Sequence, residues 1–221
     1  MKLYRKGIVI IIFAVMMTLF SGCSAISLLT QGEFDAGGYV QGIMDSTYKA
    51  EFDKYIELTE DTQENAQVAY DSVMNTKAEA FATYTAVTLT DDSKPKFIDY
   101  SKQIYKNAKY EISKTTKTED GFIVDVVISP MTILKNISTE GEAYVTEFNA
   151  RNADGEFADL TQEDFEAAYA DGIMSIFENN ISNIQYSEDV TVTVSVSSQD
   201  NKVYTMDAKE FEKIDNAILQ Q

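Results

Sequence analysis

The stretch "VTVTVSVS", Val190 to Ser197, alternates valine with a hydroxyl residue without a break. In an extended chain successive side chains point to opposite sides, so the valines share one surface and the threonines and serines the other. A strand buried on both faces would read as a continuous apolar run instead. This strand therefore belongs to an antiparallel sheet with one face on a core and one in water, and the rest of the chain has to cover only one side of it.

The covering layer reads as helical. From Tyr39 the apolar residues Val40, Ile43, Met44, Tyr48, Phe52 and Ile56 recur at steps of three and four, which predicts one amphipathic helix. Ala66, Tyr70, Val73, Phe81 and Tyr84 repeat the signature in a second helix opened by Thr62. Phe97, Ile98, Ile104 and Tyr105 make a third, capped by Asp92 or Ser93, with Pro95 tolerated in its first turn. Residues 131–157 are expected to hold a helix around Gly141 to Ala150. The clearest helix has Phe165, Tyr169, Ile173, Ile176, Phe177 and Ile184 on a wide apolar face.

Between these helices the period drops to two. "YEISKTT" (110–116) and "FIVDVVIS" (122–129) flank "KTEDG", where Asp120-Gly121 supplies the positive φ of a tight hairpin, and Pro130 ends the strand. After Val190 to Ser197, "DNK" at 200–202 turns the chain into a short strand, Val203 to Met206. Asp207 with Glu210 three residues on resembles a capping box opening a last helix that points Phe211, Ile214 and Ile218 inward. The fold class is α+β, with helices packed on an antiparallel sheet of about four strands. "YVQGIM" at 39–44 recurs as "YADGIM" at 169–174. A duplicated helix-hairpin unit is one explanation and coincidence the other, with Gly42 and Gly172 expected to mark close helix packing.

The N-terminus speaks of location. Lys2, Arg5 and Lys6 precede an uncharged apolar run from Gly7 to Phe20, shorter than the roughly 20 residues of a spanning helix. That is signal-peptide anatomy. The residues Phe20-Ser21-Gly22-Cys23 then resemble the lipobox of bacterial lipoproteins, with Phe20 where Leu is usual. The resemblance implies that Cys23 is acylated and becomes the new N-terminus, the alternatives being an ordinary secreted protein with an incidental cysteine or a retained anchor. The expected organisation is a signal peptide over 1–22, a lipidated tether over 23–38 and a globular domain over 39–221. Two acyl chains hold a protein stably where one holds it marginally, so the membrane partner is reached through the anchor, on the extracytoplasmic side. Lipidation uses the lone thiol, leaving the core to supply stability.

Without the leader the chain keeps 15 basic and 36 acidic residues, a formal charge of −21. Nucleic acid is excluded as a partner, because phosphate binding needs the opposite sign. The absence of histidine removes Ser-His-Asp and Cys-His nucleophiles, and with a single cysteine no usual zinc site forms. No phosphate-clamping arginine cluster or glycine-rich phosphate loop is present. "SKPK" at 93–96 matches Ser-x-x-Lys of penicillin-recognising enzymes, but the Lys-Thr-Gly and Ser-x-Asn partners are missing, and Ser93 fits better as a cap. "NADGEFADLTQED" (152–164) lacks the twelfth-position glutamate of a calcium loop, leaving at most weak cation binding. The acidic pairs Glu60-Asp61 and Glu163-Asp164 lie near helix starts, where negative charge suits the dipole. No catalytic, metal or cofactor residues are assigned, and the tyrosines are expected at core edges.

The lipobox, the stretch from Tyr39 to Val73, the stretch "IYKNAKYEISKTTKTEDGFIVDVVISPMTI" and the second helix and hairpin resemble an uncharacterised family of Gram-positive lipoproteins that carry a domain of unknown function. The resemblance implies a cell-surface helix and sheet domain, distantly related to cystatin-like or NTF2-like folds, and supplies no catalytic residues. The expectation is a membrane-anchored binding or interaction module with a groove between helices and sheet, for an envelope protein, peptide or glycan. A carboxylate-dependent hydrolase of envelope polymers is the alternative.

Overall fold

The computed structural model describes residues 34–199 and 203–220; Cys23, the leader and the turn at 200–202 lie outside them. In chain order these residues form α1 (Ala36–Tyr48), α2 (Asp53–Thr59), α3 (Gln63–Tyr84), α4 (Ser93–Lys106), β1 (Lys109–Thr118), β2 (Gly121–Ser129), α5 (Ile133–Ala153), α6 (Gln162–Ile181), β3 (Val190–Gln199), β4 (Val203–Met206) and α7 (Ala208–Ile218). The strands make one antiparallel sheet in the order β1-β2-β3-β4. This is the α+β fold that the changes of period demand.

Register follows the alternation. Phe122 faces Val196, Val124 faces Val194 and Val126 faces Val192 across β2 and β3. Val124, Val126, Ile128 and Val194 are fully buried beneath the helices, whereas Val190, at the start of β3, is 41% exposed. The β1–β2 turn is Glu119-Asp120, and Gly121 opens β2 at φ 146°, where a Cβ would lie 2.1 Å from the Val196 carbonyl oxygen. Only glycine fits there. Phe34, ahead of the Tyr39 at which the periodicity starts, is already buried, its ring stacked on Tyr204 at 4.2 Å.

The single helix expected from Tyr39 to Ile56 is broken. α1 stops at Tyr48, Ala50 takes left-handed backbone (φ 57°), and α2 restarts at Asp53. Phe52 and Ile56 still reach the core after the break, so apolar spacing alone cannot register it. The fold-back is close: a Cβ on Gly42 would lie 3.0 Å from the Tyr55 backbone nitrogen. Gly172 meets something else, the ring of Tyr144 on α5. Both glycines mark close packing as expected, but the shared hexapeptide serves two different contacts.

Capping explains several boundaries. Thr62 and Thr161 accept hydrogen bonds from the backbone of Asn65 (3.2 Å) and Asp164 (3.1 Å), opening α3 and α6. α5 runs well beyond the expected Gly141 to Ala150, and its buried face, Ile133, Leu134, Ile137, Gly141 and Phe148, is too sparse for apolar spacing to mark its ends. At the C-terminus, Met131 N donates to Ile218 O (2.9 Å) and Gln220 N to Met131 O (3.0 Å), which ties the end of α7 to the segment after β2.

Candidate functional site

Among the described residues, oppositely charged side chains meet in the core at Lys77 and Asp215. Lys77 of α3 is 1% exposed and Asp215 of α7 is 8% exposed, and the ammonium donates to the Asp215 carboxylate. Tyr48 of α1 donates to the other carboxylate oxygen at 3.2 Å, and the Lys77 Nζ stands 4.8 Å from the centre of the Tyr105 ring of α4. Tyr48 and Tyr105 stack at 5.4 Å, and Tyr48 also stacks on Phe211. Burial, followed by the negative charge of Asp215, pushes both phenols well above the ordinary tyrosine range. The group thus pins α7 to three other helices. With the lysine enclosed and its charge matched, it is a clamp rather than a reaction centre.

Sequence reasoning missed this cluster, yet a signal was present. Lys77 sits on the apolar stripe of α3 with Val73, Met74 and Phe81, and Asp215 sits on that of α7 with Phe211 and Ile218. Opposite charges on two core-facing stripes need each other once buried.

The weighed motifs resolve locally. Ser93 is the first residue of α4, and Asp92, the N-cap, makes no side-chain capping bond. Instead Ser93 and Thr90 satisfy each other: Thr90 N donates to Ser93 Oγ (2.9 Å) and Ser93 N to Thr90 Oγ1 (3.2 Å). Ser93 is buried and Lys96 exposed, so the Ser-x-x-Lys pair does not assemble. In the loop at 152–164, Arg151 donates to Glu156 (2.7 Å), and no group of acidic residues among those described converges as a metal site would require. Asp61 accepts from Thr62 N (2.7 Å) and Asn65 Nδ2 (2.9 Å), while Glu163 and Asp164 lie in the first turn of α6. These acids support helix starts. Tyr48, Tyr70, Tyr105 and Tyr169 lie within the core rather than at its edge. The interface where a groove between helices and sheet is expected is filled by Phe122, Val124, Val126 and Ile128.

What is left open is the other face of the sheet. Thr116, Thr191, Thr193, Ser195 and Ser197 are exposed there, around Ile123, which is 38% exposed in the central strand β2. Thr193 Oγ1 donates to Asp125 Oδ1 at 2.7 Å, which fixes the middle of the face. Lys114 stands opposite Asp125 in β1. At the rim Lys109 lies 3.7 Å from the centre of the Tyr186 ring, itself held by a hydrogen bond from its hydroxyl to Asn107 O (2.8 Å). The surface is hydroxyl-rich, shallow and flanked by lysines, with a small apolar centre. It can bind by hydrogen bonding.

Among the described residues no helix is long and apolar enough to cross a membrane. A comparison with curated proteins finds no sequence match. Among solved structures, the fold is similar to a crystal structure from Bacillus subtilis, described as a "putative lipoprotein (ycdA)", with a TM-score of 0.58 at 10% identity. The similarity covers 85% of this chain and 56% of that one, so this chain spans little more than half of its length. The family model described as a protein of unknown function (DUF3568) matches residues 6–118, from within the expected leader through α1 to α4 and to the end of β1, and the chain belongs to that family.

Proposed function

We propose that the chain is a lipid-anchored binding or interaction module on the extracytoplasmic face of the cell membrane, tethered through Cys23, that meets a peptide, glycan or envelope protein with the uncovered face of its sheet. The observation that carries this reading is the asymmetry of the sheet: its helices seal one face and leave hydroxyls around Ile123 on the other. A structural neighbour described as a lipoprotein fits the tether. The hydrolase alternative needs one acid kept neutral beside a second in an accessible cleft. Asp215, the most enclosed acid among the described residues, faces Lys77 instead, which favours binding.

Photo-cross-linking in the native host tests the reading. A cross-linker at Thr193 is expected to capture one reproducible envelope partner, and one at Val68, exposed on α3, is not. Equal capture from both positions, an unmodified thiol at Cys23 in the intact mass, or turnover of a wall fragment abolished by Asp215→Asn would overturn it.

A further inference from the structure

The two edges of the sheet are built differently. β4 has only four residues, and beyond its end the carboxylate of Glu210 accepts a hydrogen bond from Ser195 N at 2.8 Å. The first turn of α7 thereby continues the ladder, and Glu210 serves the sheet rather than the capping box its spacing suggests. At the opposite edge β1 runs for ten residues, and among the described residues no backbone-to-backbone hydrogen bond reaches it from outside its ladder with β2. Every second residue of an antiparallel edge turns its N–H and C=O away from its partner, so β1 presents a row of open donors and acceptors. Residues 113–118 are exposed throughout.

This edge is also the basic part of an acidic protein. Residues 94–117 carry seven lysines against Asp99 and Glu111, in a chain of net charge −18. Lys94 and Lys102 pair with Glu79 and Asp71 on α3. Lys106, Lys109 and Lys114 are exposed where α4 runs into β1, with Lys109 over the Tyr186 ring. With a screening length of about 8 Å at physiological salt, acids farther off are largely screened, and Glu111 with Asp125, which stands opposite Lys114, offsets only part of the charge of these three lysines.

Such an edge discriminates. Two copies of β1 would bring their lysines together, which disfavours self-pairing. A strand carrying carboxylates meets the opposite situation, since the same lysines that repel a copy attract it. We propose that β1 is the docking edge for an extended acidic segment of a partner protein, which adds to the sheet with its carboxylates toward Lys109 and Lys114. The inference rests on the binding-module reading and names the partner's chemistry.

The test titrates the folded chain with a synthetic peptide of about ten residues alternating Thr or Val with Glu, and with its counterpart carrying Lys for Glu, while amide hydrogen exchange is followed. The acidic peptide is expected to slow exchange along β1, to bind more weakly as salt is raised, and to outcompete the basic one. The variant carrying Lys109→Glu and Lys114→Glu is expected to bind the acidic peptide about tenfold more weakly and to gain affinity for the basic peptide, a reversal that also reports that it is folded. Equal binding of both peptides, or no protection of β1 by the acidic one, overturns the proposal. Capture of a partner from Thr193 in cells with β1 still unprotected would overturn it too, while leaving the binding-module reading in place.

Discussion

The two faces of the sheet share the same strands and the same backbone hydrogen bonds, yet one is sealed and the other wet. On the sealed side Val124, Val126 and Val194 lie under α1 and α7, and behind them the helical layer encloses the Lys77–Asp215 pair. On the wet side Thr191, Thr193 and Ser195 stand in solvent. The difference teaches where stability is concentrated and where the surface is free to serve recognition. A change behind the sealed face disturbs packing in every direction, whereas one on the wet face disturbs only water and whatever docks there.

The sharpest way to break this comparison is Asp215→Ala, which strands the Lys77 ammonium in the core; equilibrium denaturation is expected to show a loss of about 3–5 kcal/mol. Replacing the whole group, Lys77→Met with Asp215→Leu and Tyr48→Phe, should restore most of that loss, because no buried polar side chain is then left without its partner. Within the sheet, Val194→Ala should cost about 2 kcal/mol by leaving a cavity. Thr191→Ala, three residues away on the wet face, should stay within about 0.5 kcal/mol. Equal losses at Val194 and Thr191 would show that the two faces do not differ as described. Between these two lies Thr62→Ala, at about 1 kcal/mol, through loss of the cap on α3.

Alkaline titration sharpens the comparison from the sealed side. Burial and then the charge of Asp61 push the Tyr55 phenol up to about 12. Burial raises Tyr48 and Tyr105 further, with Asp215 adding to it. An unfolded tyrosine ionises near pH 10, while the folded one keeps its proton. The stabilisation is therefore fully present below about pH 10 and is lost as pH climbs through the folded-state values, since the unfolded chain then binds fewer protons. Tyrosinate absorbance should show delayed ionisation in the native protein and stability falling above about pH 10. A native titration that overlays the denatured one would refute the enclosure of these rings.

Much of the fold was legible because hydrophobic period is a local property. The strands at 122–129 and 203–206, the cap at Thr62 and the alternation of β3 all rest on residues that neighbour each other in sequence. The break at Ala50 was not legible, since the apolar spacing runs on across it and only the approach of α2 to Gly42 requires it. Glu210 shows the same limit: its spacing from Asp207 suits a capping box, but Asp207 caps Lys209 N while Glu210 reaches Ser195 in a strand. Of the candidate site, the hydroxyl face could be read from "VTVTVSVS", whereas the open edge of β1 could not, because strand order is not written in any one strand.

The sequence by itself determined which faces of the helices and strands are apolar, the α+β class and the absence of histidine chemistry, since side-chain period and composition need no knowledge of distant contacts. Tertiary structure alone decided that Lys77 would find Asp215, that the helices would gather on one face of the sheet, and that β1 rather than β2 or β3 would lie at its margin. Those outcomes join residues far apart along the chain, and their partners are chosen by competition for buried space and paired charge, which no local pattern records.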